Sequence, residues 1–225
     1  SDSKVTLTLI GPKTRPGCAS MAAAAMLNSF CEIEIGTLSN EIEARKFDFN
    51  RGATALWPDI LKEVSACSRA AIPSGFGTFL INNHESDGLE DANFDAIVHA
   101  LKRFNTPFES ISPVEIPHFK PNTRSRASRA IFIPGEGWVN PISLIQALDT
   151  IISASSRVQT VDRPCSSLRR RGDRVVGAFL DTGEEVVGDA YVLVPGANFS
   201  AILSASNLDI QTPKILYGIG CSMLL

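Results

Sequence analysis

The cysteines and histidines are the residues best suited to act as nucleophiles, acid–base catalysts or metal ligands. They are widely separated along the chain: Cys18, Cys31, Cys67, Cys165, Cys221, His84, His99 and His118. No C-x-x-C pair occurs, so the sequence predicts no metal site and identifies no catalytic residue. An odd, scattered set of cysteines does not suit a secreted disulfide scaffold. We therefore expect thiols in a reducing compartment and predict a cytoplasmic protein.

Two glycine pairs are the next candidates, because glycine turns bind phosphate groups. They are Gly75-Phe76-Gly77 and Gly218-Ile219-Gly220. A dinucleotide fingerprint needs a third glycine, where this chain has Leu80 and Met223. Neither a Walker loop nor a G-x-S-x-G elbow is present, so phosphoryl transfer and α/β-hydrolase chemistry have no support.

Composition restricts the class of protein. The 225 residues are 44% hydrophobic and 20% charged, which is typical of a globular protein and excludes a disordered chain. The 21 Lys and Arg residues against 24 Asp and Glu residues give a net charge of −3, which provides no basic surface for nucleic acid. We predict no membrane span, because no apolar run approaches the roughly 20 residues that one requires.

Strand and helix patterns alternate along the chain. Helical spacing predicts helices within 39–71, 92–104, 141–153 and 201–204. Apolar, β-branched runs predict strands at 5–10, 75–81, 130–133, 157–161, 165–170, 174–181, 185–187 and 190–194, with 5–10 and 190–194 fully buried. Residues 135–141 are predicted as a loop. The small residues of 18–27 indicate close contact with a neighbour or only a preference for helix.

Four segments carry a family resemblance through their order and spacing. They are Val5–Leu27, ending in A-A-A-A-M-L where the family commonly has A-A-G-M-L; Gly137–Pro141, similar to G-x-V-D-P; Gly172–Gly183, similar to the hairpin G-R-V-x-G-V-x-T-x-x-G; and Tyr191–Ser200, similar to V-L-A-A-G-A-W-S. With these segments, nearly the whole chain resembles the FAD-dependent oxidoreductases of the D-amino-acid oxidase and glycine oxidase type, the DAO family.

The resemblance implies the fold class. It is α/β, with an FAD/NAD(P)-binding-like sheet and helices interleaved with a smaller α+β substrate domain. By position, the FAD-binding-like domain covers 1–71 and 138–208. The substrate-domain-like part covers 72–137 and 209–225.

The resemblance also implies FAD as the cofactor and assigns its contacts. The flavin-facing loop falls on Ala19, Ser20 and Met21, with Ala25 and Met26 beside the isoalloxazine, the adenine-side backbone contact on Cys165, and a glycine turn on Gly196 and Ala197. Small side chains suit these positions, because a flat ring and a pyrophosphate approach backbone only where side chains do not intrude. We expect residues 19–26 and Gly196 to form close walls around the ring.

Three departures from the family pattern qualify this assignment. The first strand with its G-x-G-x-x-G turn is missing, so the chain begins at the second strand. Gly11 stands where the family has an acidic residue that binds ribose. The C-terminal half, with its substrate-binding arginine and tyrosine residues, would begin near Leu225. We expect a partner chain or a segment of a longer protein to complete the sheet beside residues 5–10.

The resemblance implies an FAD-dependent oxidoreductase, or part of one, that oxidises a small amine or amino acid by hydride transfer to the flavin. We do not expect the isolated 225 residues to be active. The alternative is a non-catalytic interaction or scaffold subunit that kept the fold but lost the cofactor. Gly11 and the missing fingerprint motivate that alternative.

Overall fold

A computed structural model describes residues 5–14, 18–83, 88–121 and 126–208 of the chain. The chain divides into two compact units: Ser1–Ala22 with Ile152–Leu225, called the first unit, and Ala23–Ile151, called the second unit. The domain boundaries given above are different ones and remain a prediction. The predicted terminal part 209–225, with Cys221 and the second glycine pair, lies outside the described residues, as does His84.

Nine strands and five α-helices are present in the described ranges. The strands are β1 (Leu7–Ile10), β2 (Met26–Leu27), β3 (Ser74–Asn83), β4 (Glu109–Ile111), β5 (Ala127–Val139), β6 (Val158–Val161), β7 (Cys165–Arg171), β8 (Arg174–Leu180) and β9 (Glu185–Val186). The helices are α1 (Ala19–Ala22), α2 (Glu41–Ser68), α3 (Gly88–Arg103), α4 (Pro141–Ala154) and α5 (Phe199–Ala205). None of these helices has the length and apolar character that crossing a membrane requires.

The second unit is organised around the long strand β5. Strands β2, β3 and β4 all pair with β5 in antiparallel register. Its main apolar core includes residues from β5, α2, α3 and the segment after β2: Phe30, Ile33, Phe47, Phe94, Ile97, Ala100, Leu101, Ile131 and Ile133. A smaller cluster joins Leu27, Leu61 and Val139. The end of β2 and the end of β5 therefore belong to the same packed region.

The C-terminal part of β5 corrects a prediction. Residues 135–141 are predicted as a loop, but β5 continues to Val139 because β3 and β2 both pair with it there. Gly137 allows this close pairing, since a Cβ atom at that position would lie 2.1 Å from the carbonyl oxygen of Gly75. The glycine of the G-x-V-D-P-like segment thus serves the approach of two backbones.

The Gly75-Phe76-Gly77 pair also has a packing role. Both glycines lie inside β3 rather than in a turn before it. A Cβ atom at Gly75 would lie 2.7 Å from Trp138 Nε1, and one at Gly77 would lie 2.6 Å from the Phe132 ring. The first glycine pair is therefore explained by the rings that cover it.

Replacing Gly137 by alanine should destabilise the second unit strongly. The added methyl group has to displace the β3 backbone, so we expect Gly137→Ala to lower the free energy of unfolding by about 2 to 4 kcal/mol. Gly135→Ala is the matched control, because a Cβ atom there meets no atom within 4 Å. Urea unfolding of both variants measures the difference, and equal midpoints would show that the backbones do not approach as described.

The first unit contains two small sheets. Strand β1 pairs with β6 in parallel, from Leu7 opposite Val158 to Ile10 opposite Val161. Strands β7, β8 and β9 form an antiparallel sheet in that order. Leu168, Ala178 and Ile202 form its core, and Ile10, Tyr191 and Leu193 are among the residues that pack against it.

Two predictions about this unit are wrong in part. β1 forms as predicted, but Leu7 is 56% exposed, because β6 is its one pairing partner among the described residues. Residues 190–194 form no strand, although Tyr191 and Leu193 reach the core. Val192 and Val194 face away from it and are 87% and 82% exposed. Burial of both segments would need a neighbour outside the described structure.

Candidate functional site

The predicted cofactor residues are distributed over both units. Ala25 and Met26 belong to the second unit, and the other six belong to the first: Ala19, Ser20, Met21, Cys165, Gly196 and Ala197. Within the described residues, no group of three or more His, Cys, Asp and Glu side chains could hold a metal ion. Each segment is described within its own unit below.

In the second unit, the backbone of Ala25, Met26 and Leu27 pairs with the end of β5. The Val139 N–H donates to the Ala25 carbonyl at 3.1 Å, and Met26 lies opposite Trp138 in the ladder. Side chains alternate along β2, so Leu27 is buried in the core while Met26 is 49% exposed. The ladder thus holds the backbone of β2 and leaves the Met26 side chain accessible.

Ala25 has a left-handed backbone, with φ 49°. This conformation brings the Cβ atom of an ordinary residue close to its own carbonyl and costs roughly 1–2 kcal/mol. In the A-A-G-M-L run of the family, the residue at this position is glycine, which adopts the conformation without that cost. The strain at Ala25 is local and lies in the segment predicted to face the flavin, as is common at functional sites.

Glycine at position 25 should relieve the strain. Glycine loses about 0.5–1 kcal/mol of backbone entropy on folding, so Ala25→Gly should raise the free energy of unfolding by up to about 1 kcal/mol. Ala24→Gly is the control, because Ala24 does not have a positive φ, and it should leave stability unchanged or lower it. Thermal unfolding of the wild-type protein and both variants measures the differences in stability. A loss of stability in Ala25→Gly would contradict the strained backbone.

Glu136 is a functional candidate that the sequence analysis missed. Its carboxylate Oε1 accepts hydrogen bonds from the N–H groups of Ser29 at 2.6 Å and Phe30 at 2.5 Å and from Ser29 Oγ at 3.2 Å. Oε2 accepts from the Cys31 N–H at 3.3 Å. The signal in the sequence is a carboxylate between Gly135 and Gly137 in an apolar strand.

Cys31 lies beside this carboxylate. Burial raises the pKa of the Cys31 thiol well above its usual range, and the negative charge of Glu136 raises that pKa further. Burial also raises the pKa of Cys165, although a hydrogen bond from the Ser167 backbone opposes the shift. Both thiols therefore stay protonated at neutral pH.

The Cys31 thiol makes stability fall in alkali. Above about pH 8.5 the unfolded chain loses a thiol proton that the folded chain keeps, so the free energy of unfolding drops by at most about 1.4 kcal/mol per pH unit. Cys31→Ala should remove this part of the slope. Cys67→Ala, which changes an exposed thiol, should not. Urea unfolding between about pH 8 and about pH 10 tests this, and equal slopes in all three proteins would contradict it.

In the first unit, Ala19, Ser20 and Met21 lie in the short, exposed helix α1. Cys165 begins β7, the edge strand of its sheet, so β7 has backbone groups outside the ladder with β8. Gly196 has φ 56°, and a Cβ atom there would meet no atom within 4 Å. Ala19, Ser20, Gly196 and Ala197 thus combine small side chains with exposed positions, which fit a flat cofactor held mainly through backbone contacts.

A carboxylate stands close to Gly11. The Gly11 N–H donates to the Val161 carbonyl at 3.1 Å, which continues the parallel pairing of β1 with β6. The next residue after Val161 is Asp162, and its Oδ1 accepts the Lys13 N–H at 2.7 Å. The acidic group absent at position 11 is therefore present one strand away, at the carboxyl end of β6.

Comparison with known proteins identifies the family. The family model "DAO: FAD dependent oxidoreductase" matches residues 3–222. This chain belongs to the DAO family of FAD-dependent oxidoreductases. FAD is the cofactor of the DAO family, and the predicted family and cofactor are both confirmed. A comparison with curated protein sequences gives no match.

Solved structures confirm the DAO-type fold class. The chain is 21% identical to glycine oxidase from Geobacillus kaustophilus, with TM-score 0.67 over 88% of this chain and 50% of that one. It is 18% identical to iminodiacetate oxidase from Chelativorans sp. BNC1, with TM-score 0.66 over 89% and 52%. It is 11% identical to L-amino acid deaminase from Proteus vulgaris, with TM-score 0.64 over 94% and 51%. The chain spans about half the length of these DAO-like structures.

Proposed function

We propose that the intact protein containing this chain binds FAD and oxidises a small amine or amino acid by hydride transfer to the flavin. Membership of the DAO family over residues 3–222 carries the proposal. The names of the similar structures, glycine oxidase and iminodiacetate oxidase, indicate the class of substrate. When bound, FAD supplies the hydride acceptor, so the chain need not provide an acid or base of its own.

The chain's own contribution is the placement of backbone and small side chains. In the second unit, Ala25 and Met26 are proposed to line the isoalloxazine, held by the ladder to β5. In the first unit, we propose that Ala19–Met21 and the turn at Gly196–Ala197 approach the cofactor closely, and that edge-strand backbone at Cys165 contacts the adenine side. Asp162 is proposed to take the ribose-binding role that Gly11 cannot perform.

The exposed edge of the first unit supports the need for a further strand. Val5, Leu7 and Leu9 of the β1 region are exposed, as are Val192 and Val194. Apolar strand edges are normally paired or covered, because they otherwise favour aggregation. We propose that another segment of the intact protein, or a partner chain, pairs with β1 and that high-affinity FAD binding requires it.

FAD titration of the intact protein and of the 225-residue chain tests these proposals. The intact protein should bind FAD and should lose its oxidised flavin absorbance when glycine, a D-amino acid or iminodiacetate is added without oxygen. The 225-residue chain should bind at least about tenfold more weakly, a loss of about 1.4 kcal/mol. Asp162→Asn should weaken binding in the intact protein, whereas Asp173→Asn, in the hairpin turn, should not.

Three results would contradict the proposals separately. Intact protein that takes up no FAD would exclude the oxidoreductase and favour the non-catalytic subunit. FAD binding without reduction by any small amine would refute the substrate class. Equal FAD affinity of the two proteins would show that no added strand is needed.

A further inference from the structure

Glu136 is buried in a way that the proposed function does not explain by itself. It is 2% exposed, in the last part of β5. No Lys, Arg or His side chain forms an ion pair with it in the part of the chain that the structure describes. A buried carboxylate without a cation is unfavourable unless hydrogen bonds replace the lost water. The compensation must therefore come from the hydrogen-bond donors around it.

Four donors from three successive residues supply that compensation. They are the N–H groups of Ser29, Phe30 and Cys31 and the hydroxyl of Ser29. Successive N–H groups that converge in this way form an anion-binding concavity. Hydrogen bonds to an ionised acceptor are roughly twice as strong as neutral ones. Glu136 is thus a strong attachment point for residues 29–31.

This attachment lies immediately beyond β2. β2 has two paired residues, Met26 and Leu27, and so short a ladder specifies its register weakly. Just before β2, the Ala25 carbonyl accepts a hydrogen bond from the Val139 N–H at 3.1 Å. Four successive residues of β5, 136–139, therefore hold the segment from Ala25 to Cys31, and Glu136 provides the charged member of that set.

We propose that Glu136 is a positioning residue that fixes Ala25 and Met26 where FAD binds. The inference rests on the proposed function. An ionised carboxylate has only acceptor sites: Oε1 accepts from the Ser29 N–H, the Ser29 hydroxyl and the Phe30 N–H, and Oε2 accepts from the Cys31 N–H. Glutamine has nearly the same shape, but its NH2 group is itself a donor. Glu136→Gln therefore leaves the Cys31 N–H without an acceptor, and it weakens the three bonds that Oε1 accepts because the acceptor loses its charge; it creates no cavity.

The first test measures FAD binding and the flavin spectrum of the intact protein. Glu136→Gln should raise the FAD dissociation constant at least about tenfold and should change the visible flavin spectrum, because the ring environment moves. Glu115→Gln is the matched control, since its exposed carboxylate also accepts a backbone bond, from the Ser112 N–H at 2.8 Å. The control should match the wild-type protein in both measurements.

The second test separates positioning from general stability by amide hydrogen exchange. The Val139 amide reports the position of Ala25, and the Ser29 and Phe30 amides report the attachment itself. In Glu136→Gln these amides should exchange at least about tenfold faster relative to Ile131, which lies in the same sheet. If this variant fails to fold, Ser29→Ala should show a smaller change in the same amides.

The outcomes distinguish this inference from the proposed function. The positioning role would be overturned if folded Glu136→Gln had the FAD affinity, the flavin spectrum and the Val139 amide exchange rate of the wild-type protein. Uniformly faster exchange across the sheet would overturn it as well, since that indicates only lost stability. If the wild-type protein binds no FAD, the proposed function fails. The Val139 exchange rate then still decides whether Glu136 holds Ala25.

Discussion

The close approach of β2 and β3 to the end of β5 is the constraint on which the second unit depends. Gly137 permits it, because any side chain there would meet the Gly75 carbonyl oxygen at 2.1 Å. Val139 fills the small core at that end, and Asn140 caps α4 by accepting the Ser143 N–H at 2.9 Å. Gly137, Val139 and Asn140 of the G-x-V-D-P-like segment thus each have a structural task.

The same frame explains why the segment predicted to face the flavin can be strained and still well defined. Ala25 keeps a left-handed conformation because its carbonyl is bonded to Val139 and because Leu27, next along β2, is buried. On the other side of β2, the Glu136 carboxylate binds the following backbone. A segment held at both ends can present small residues to a ligand without using side chains as anchors. This suits a cofactor that carries its own redox chemistry.

Local sequence patterns predicted most of the elements that form from nearby residues. Helix α4 and the hairpin of β7 and β8 agree closely with prediction, and α3 begins four residues before its predicted start, because helical periodicity and turn residues are local signals. Residues 190–194 and the burial of β1 were predicted wrongly, since burial depends on neighbours that the local pattern does not specify. The family resemblance, rather than periodicity, predicted the fold class and the cofactor.

The candidate site shows the same limit. The small residues of 19–26 were recognisable from the resemblance, but the strain at Ala25 depends on a hydrogen bond to Val139, far away in sequence. Glu136 was overlooked because a carboxylate flanked by glycines is typical of a loop. Its burial follows from the pairing of β5 with β2 and β3 and from donors in residues 29–31. Such long-range pairing is not encoded in the spacing of one segment.

A crystal structure of the intact protein with FAD tests the central claim most directly. The account predicts that the isoalloxazine lies in van der Waals contact with the backbone of Ala25 and Met26, and that the Glu136 carboxylate still accepts the Ser29, Phe30 and Cys31 N–H groups. A flavin ring bound away from Ala25 and Met26, or a Glu136 side chain turned away from those donors, would contradict it.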